Sequence, residues 1–456
     1  MLALSGVISS MMQTLVAPIL PRFPHLLHTT ASGSAWIITA TLLAASAATP
    51  VAGRLGDLYG KRRVLLGLLG LMVLGSVVAG CAQDLGIMIV GRALQGTAIG
   101  TVPVAISITR DELPPSRQRG AVSLISASLG FGAAIGLPAA TSVADSFGFR
   151  VLFFATALLG VVAITLVARF IPATSARTGG SFDAAGALLL AAGLIGVLLA
   201  VAQGRTWGWA SRPTVACLIL GVLILVAFAV WELSRAEPLL DLRVAASRTV
   251  MLTNLSSIAL GFALVASSVA FPQALEVPHA SGGAGMTALV ASIGVMPLGV
   301  VMVLLTPLAA TIIGRHGARI ALTCGALIVA IGYLLPAVSR ANAAAIIIGA
   351  AIVGIGIGLG YAAMPTLIMS AVPATQTGAA NGTNTLMRAL GTTIGSAVIG
   401  TILSAGAPGR ISARASAGPS ISAFQTVFVL AAAAAILSAA IAIFTTHDRA
   451  DAERFR

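Results

Sequence analysis

The sequence predicts an all-α integral membrane protein of fourteen transmembrane helices: two six-helix pseudo-repeat bundles with two further helices inserted between them. Three observations predict this. Only 9% of the 456 residues are charged and 58% are hydrophobic, with a mean hydropathy of +1.03. An ordinary soluble chain is about 25% charged, so this one cannot clothe itself in a water-compatible surface. Apolar runs of about 18 or more residues, enough to cross a bilayer as a helix, recur fourteen times without the alternation of a barrel strand. Finally, two separate segments of the first half return in the second half, in the same order.

Taken in order, the runs lie near 3–23, 34–54, 63–82, 85–107, 120–142, 151–171, 184–204, 212–232, 249–274, 284–312, 319–338, 342–371, 382–405 and 422–445. The first reads as a retained span, with no cleavable leader pattern. With a cytoplasmic N-terminus, the inward loops hold 17 of the 26 Lys and Arg and the outward loops hold 7, with Arg92 and Arg388 inside spans. The positive-inside rule therefore puts both termini in the cytoplasm of a multi-pass plasma (inner) membrane protein. The net charge of +13 is spread over these loops and forms no stripe for nucleic acid. Trp36, Trp207, Trp209 and Trp231 fall near span ends, where amphipathic rings settle.

Polar residues within or beside the spans are the candidate functional groups. The stretch "GRLGDLYGKRR" joins spans 2 and 3 and gathers Asp57 with four cations. Gly53 permits close helix contact, and Gly60 permits a positive-φ turn. Lys61, Arg62 and Arg63 suit anionic headgroups. Asp57 is costly at a helix end unless Arg119 or the N-terminus of a neighbouring helix meets it. In span 4, Arg92 and Gln95 share a face. Two roles fit Arg92: a substrate or coupling contact, or a structural guanidinium held by carbonyls of neighbouring helices. In span 13, Asn381, Asn384 and Arg388 share a face in the same way. Gln13 in span 1 and Glu276 at the outer end of span 9 complete the substrate or coupling candidates. None of the thirteen acids falls mid-span. Glycines crowd spans 5, 12 and 13, as close helix packing requires. Gly132, Gly136 and Pro138 bring close contact and a kink to span 5.

Cys81, Cys217 and Cys324 lie too far apart for a metal motif and read as small apolar fillers. The five histidines lie in loops or a tail, and no third ligand accompanies His25 and His28. No Gly-x-x-x-x-Gly-Lys-Ser/Thr loop is present. The sequence therefore predicts no metal, no cofactor, no ATP-driven pump and no enzyme.

"TPVAGRLGDLYGKRRVLL" from Thr49 matches "TPLAATIIGRHGARIALT" from Thr306 at an offset of 257, pairing Ala52 with Ala309, Gly60 with Gly317 and Arg62 with Arg319. "LPPSRQRGAVSLISASLGFGAAIG" from Leu113 resembles "VPATQTGAANGTNTLMRALGTTIG" from Val372, pairing Gly120 with Gly378, Gly130 with Gly391 and Gly136 with Gly395. Residues 1–172 then form an N-terminal six-helix bundle, 173–245 two inserted helices and a loop, and 246–456 a C-terminal six-helix bundle with a short cytoplasmic tail. Parallel halves of this kind are a transporter architecture, with the substrate held between them near the midplane.

These segments carry a family resemblance. "GRLGDLYGKRR" resembles the helix 2–3 loop signature of the major facilitator superfamily, "GRALQG" its helix-4 motif, and "GFGAAIGLP" its helix-5 antiporter motif. With "WIITATLLAASAATP" and "NGTNTLMRALGTTIG", the layout looks like the fourteen-helix drug:proton antiporter branch of the EmrB/QacA type. The resemblance implies a secondary transporter that exports amphipathic small molecules by alternating access. It implies that Gly53, Asp57, Gly60, Lys61, Arg62, Arg63 and Arg119 latch the two halves in the outward-facing state. It implies proton transfer at Arg92, and a leak-proof seal at Gly136 and Pro138. The family's first helix carries an Asp two residues before a Thr; here Met12 occupies that place. Weak or absent proton coupling, and a preference for neutral or anionic substrates, follow from that departure. A monomer in the lipid bilayer is expected. An uptake or metabolite transporter of the same fold, or a non-transporting membrane sensor, remains the alternative.

Overall fold

The computed structural model describes residues 1–16, 19–172, 181–235, 238–279, 283–339, 342–405 and 419–445. Among them there are helices and no strand. In chain order the main helices are α1 (Leu2–Thr14), α2 (Ala31–Tyr59), α3 (Lys61–Gly80), α4 (Leu85–Glu112, interrupted by a 3-10 turn at Thr97–Gly100), α5 (Pro115–Phe147), α6 (Phe149–Phe170), α7 (Ala184–Trp207), α8 (Arg212–Leu233), α9 (Arg248–Glu276), α10 (Ala288–Leu304 with Thr306–His316), α11 (Ala318–Val338), α12 (Ala343–Ala371), α13 (Thr377–Ala405) and α14 (Ile421–Ile443).

Twelve of these, α2 to α9 and α11 to α14, are each long and apolar enough to cross a bilayer. α10 makes a thirteenth if its two pieces, bent by 48°, count as one span. The break has a cause in the sequence. Pro297 and Pro307 each open a helical piece, because proline has no N–H to donate and its ring clashes with the preceding turn. The first apolar run departs from expectation. Its helix stops at Thr14, and the chain continues through a 3-10 turn at Leu20–Arg22 and a short helix at Phe23–Leu26. Thirteen helical residues rise about 20 Å, short of the ~30 Å of hydrocarbon. The charges counted at Arg177, Arg340, Arg410, Arg414, Arg449, Arg454 and Arg456 lie outside the described residues.

Several acids the sequence left in loops are helix caps. Asp84, Asp183 and Asp241 accept the N–H groups of Ile87, Gly186 and Val244 at the starts of helices, satisfying donors that have no partner within the helix. Gly60, Gly148 and Gly317 turn the chain between α2 and α3, α5 and α6, and α10 and α11 with φ of +104°, +81° and +87°. Gly60 and Gly317 are the glycines paired by the internal repeat. The cysteine reading needs correcting: Cys81 and Cys324 are exposed, so they do not fill the core.

Two seams bring distant parts of the chain together. α2 packs on α13, and α5 packs on α10 and α12. α7 and α8 pair with each other, and α7 lies against both α2 and α13. A cluster of Leu190, Leu194, Phe228, Leu239, Leu240, Ala379 and Leu386 covers that seam. Near the other face, the Trp36 and Trp207 rings lie 6.5 Å apart.

The glycines of α5 also need a correction. A Cβ on Gly132 would sit 2.3 Å from the Val7 carbonyl oxygen, and one on Gly136 only 2.2 Å from Thr14 Oγ1. Both therefore seat α1. The glycine that faces α10 is Gly130, where a Cβ would meet the Met302 side chain. In α13, Gly391 and Gly395 face Ile258 and Phe262 of α9. The structural mate of Gly391 is thus Gly132, not Gly130. α5 runs unbroken through Pro138 from Pro115 to Phe147.

Candidate functional site

The α2–α3 turn reaches across to the start of α13. A Cβ on Gly53 would lie 2.3 Å from the carbonyl oxygen of Gly378, so the two backbones touch and only glycine fits. That approach carries Asp57 onto the helix start. Its carboxylate is buried, at 3% exposure, and Oδ2 accepts the N–H of Ala379 at 3.1 Å. A helix N-terminus favours a negative charge at this point. Lys61, one turn on, is also buried. Its Nζ lies 3.8 Å from Asp57 Oδ1 and 2.5 Å from Asp111 Oδ2 at the end of α4. Arg110 donates to Thr377 Oγ1 at 2.5 Å and to the Val372 carbonyl at 3.3 Å, just before α13.

Three readings of the loop change as a result. Lys61 is no headgroup anchor, since its ammonium is buried against two carboxylates. Arg62 donates to the Ala168 carbonyl of α6 at 2.5 Å. Arg63 alone of the three is exposed with no bond in the cluster. Arg119 does not meet Asp57: its guanidinium lies at the other seam, 3.3 Å from where a Cβ on Gly314 of α10 would be. The sequence missed Arg110 and Asp111. Their signal was a charge pair at the end of span 4, directly before the α4–α5 turn.

Arg92 is 1% exposed. Nε donates to the Ile37 carbonyl at 3.3 Å, and Nη1 to the Met12 carbonyl at 3.2 Å and Gln95 Oε1 at 2.8 Å. Gln95 Nε2 in turn donates to Ser76 Oγ at 2.8 Å. One guanidinium and one amide thus tie α1, α2, α3 and α4 together. Of the two roles open to Arg92, this geometry favours the carbonyl-bonded one.

A second polar cluster lies on α9, α12 and α13. Asn384 Nδ2 donates to Asn254 Oδ1 at 3.0 Å and Ser257 Oγ at 2.6 Å. Arg388 stands 4.5 Å above the Tyr361 ring and donates to Thr385 Oγ1 at 3.2 Å. Asn381 Nδ2 donates to the Thr377 carbonyl at 3.0 Å. Asn381 Oδ1 and the Tyr361 hydroxyl are buried with no hydrogen-bond partner among the described residues. Asn254, Ser257 and Tyr361 were missed. Asn254 and Ser257 are polar at i, i+3 in an apolar run, a legible but weak signal.

Gln13 is half-buried on α1, and Glu276 is exposed at the last residue of α9; neither joins these clusters. Glu232 is one of the thirteen acids that the sequence keeps out of mid-span. It is buried in the last turn of α8, beside Gly186 and the Asp183 cap. Among the described residues no group of three His, Cys, Asp or Glu could hold a metal.

The chain is 26% identical over 376 residues to the multidrug resistance protein Stp of Mycobacterium tuberculosis (strain CDC 1551 / Oshkosh), covering 82% of this chain and 69% of that one. It is 26% identical over 397 residues to the tetracenomycin C resistance and export protein of Streptomyces glaucescens, covering 86% and 72%. The crystal structure of the human organic anion transporter MFSD10 (TETRAN) superposes with a TM-score of 0.66 at 15% identity, over 97% of this chain and 98% of that one. At that identity the likeness speaks to the fold alone. The family model of the Major Facilitator Superfamily matches residues 2–301 and again 250–456. With that match over both halves, and helices long enough to cross a membrane, the chain belongs to the Major Facilitator Superfamily of membrane transporters.

Proposed function

We propose that this transporter exports amphipathic small molecules from the cytoplasm by alternating access, as a fourteen-span member of the drug-efflux branch. The observation that carries the reading is the buried Asp57 seated on the N–H of Ala379. It bonds two helices 322 residues apart in sequence, at a point where separation of the two halves would open a path to the cytoplasm. The names of the relatives, multidrug resistance and tetracenomycin export, support a broad class of amphipathic substrates. The fourteen-span count takes α1 and the residues after it as a first span and the bent α10 as one. The three-part division at 172/173 and 245/246 is supported by the α7–α8 pair lying outside the seam it covers. The cation bias of the loops supports a plasma-membrane protein with both termini in the cytoplasm, and we take the chain to work as a monomer.

In this reading, Asp57, Lys61, Asp111 and Arg110 hold the cytoplasmic gate shut while the outer face is open. Substrate arriving from the cytoplasm requires that bond to break, and its cost is repaid by contacts inside. Arg92 holds the N-terminal helices in register. The Asn384–Arg388–Tyr361 cluster offers guanidinium, amide and aromatic groups to a neutral or anionic substrate. The charge-neutral Met12 leaves Arg92 without a buried counter-ion, so a permanent cation would enter unpaired. The test is transport in inside-out vesicles against a panel of neutral, anionic and cationic amphipaths, with and without an imposed pH gradient. Accumulation of neutral or anionic compounds with little gradient-driven uptake of cations supports the reading. Accumulation of none of them removes it.

A further inference from the structure

The two seams are related by the internal repeat, and they are not closed alike. At offset 257, Asp57 of α2 corresponds to Gly314 of α10, and at offset 258 Gly120 and Ala121 of α5 correspond to Gly378 and Ala379 of α13. On the α2–α13 seam the carboxylate is in place and the glycines are pressed together: a Cβ on Gly378 would lie 2.7 Å from the Gly53 carbonyl oxygen. On the α5–α10 seam the carboxylate is missing, and a Cβ on Gly120 would meet nothing within 4 Å. An open cleft of about 610 Å³ occupies the place, lined by Arg117, Arg119 and Arg315 with Gly120, Ala121 and Gly314, and by no acid. Among the described residues none of the three guanidinium groups is paired with a carboxylate. The cleft sits at the membrane face that carries the α2–α3 turn, because Lys61 bonds Asp111 only four residues before α5 begins.

We propose that this cleft binds the phosphate of an anionic phospholipid headgroup, which stands in for the carboxylate that Gly314 lacks and closes the second seam. Three things favour a lipid over a free anion. The site lies at the end of membrane-spanning helices. It opens outward and does not enclose its ligand. Arginine forks match phosphate oxygens two at a time. The seam covered by α7 has its own acid, so the repeat leaves one vacancy on one side only. Cationic residues at such a surface gain about 1 kcal/mol each from anionic lipid, roughly fivefold in affinity.

The experiment is thermal unfolding of the detergent-solubilised full-length chain with added phosphatidylglycerol, phosphatidylcholine or inorganic phosphate. Phosphatidylglycerol is expected to raise Tm, while phosphatidylcholine and inorganic phosphate leave it unchanged. Arg119→Gln and Arg315→Gln should each shift the half-saturating lipid concentration up roughly fivefold. Gly314→Asp supplies the carboxylate beside Arg119 and should start at a raised Tm that phosphatidylglycerol no longer increases. A Tm response retained in the Arg119→Gln/Arg315→Gln double variant would overturn the site. An equal response to inorganic phosphate would overturn the lipid as its ligand. An undiminished lipid response in Gly314→Asp would overturn the substitution of lipid for carboxylate.

Discussion

Replacing Asp57 by asparagine removes one charge and almost no volume. Asn Oδ1 can still accept the N–H of Ala379, so the bond of 3.1 Å weakens from charge-assisted to neutral without vanishing. That difference is about 1 kcal/mol. Lys61 loses one of its two carboxylates, the one at 3.8 Å, and keeps Asp111 at 2.5 Å; the lost attraction is partly offset because a neutral amide is cheaper to bury at this depth. In the proposed gate reading, these together put the closed state about 1–2 kcal/mol higher, a roughly 5–30-fold shift toward opening. A transporter that cannot hold its inner gate shut completes few cycles. Export in inside-out vesicles should therefore fall by at least that order, while membrane abundance stays near normal, since topology rests on the loop cations. Asp57→Glu sharpens the test. The Asp57 carboxylate fills the space beside Gly378, its oxygens 2.8 and 2.9 Å from where a Cβ there would sit, so one added methylene moves the carboxylate off the Ala379 N–H. The charge is kept and transport is still expected to fall. Full export by Asp57→Asn at equal abundance would refute the assignment of gate closure to this carboxylate.

The other expectations rest on different contacts. Arg92→Lys keeps the charge but has no planar fork; it cannot serve the Ile37 carbonyl, the Met12 carbonyl and Gln95 at once, so a lower Tm together with reduced transport is expected, and unchanged values for both would mean that the charge alone matters. Gly132→Ala brings a methyl to within 2.3 Å of the Val7 carbonyl oxygen, which forces α1 off α5; a thermal shift assay should show destabilisation of about 1–3 kcal/mol, and a wild-type Tm would count against the packing. Met12→Asp sets a carboxylate on the residue whose carbonyl already receives Arg92; gradient-driven uptake of a quaternary ammonium dye should rise above that of the unmodified chain, and strong uptake by the unmodified chain would contradict the argument from missing acids.

Much of the fold was legible in the order of residues. Spans announce themselves because a helix in hydrocarbon must satisfy its own backbone and cover itself in apolar side chains, so twelve of the fourteen runs return as single crossing helices. Turn glycines are legible too: Gly60 and Gly317 repeat at one offset because only glycine takes their φ without strain. The bend in α10 was not foreseen: the run near 284–312 read as one span, and where proline breaks a helix depends on what neighbouring helices tolerate. Partners were not legible. Asp57 had two candidate partners in the sequence, a neighbouring helix start and Arg119. Only the approach of α2 to α13, set by the Gly53–Gly378 contact, decided for the first and left Arg119 beside Gly314. Lys61 read as a surface cation because nothing local marks a lysine as buried; the end of α4, arriving with Asp111, buries it. The sequence by itself determined that this is a helical membrane protein with a repeated, glycine-turned loop and no mid-span acid. These properties follow from composition and local backbone conformation, which each residue carries with it. Tertiary structure alone decided which cation meets which anion, which glycine faces which helix, and at which of two equivalent seams a carboxylate meets a helix start. Those depend on distances between residues hundreds of positions apart, fixed only when the helices pack.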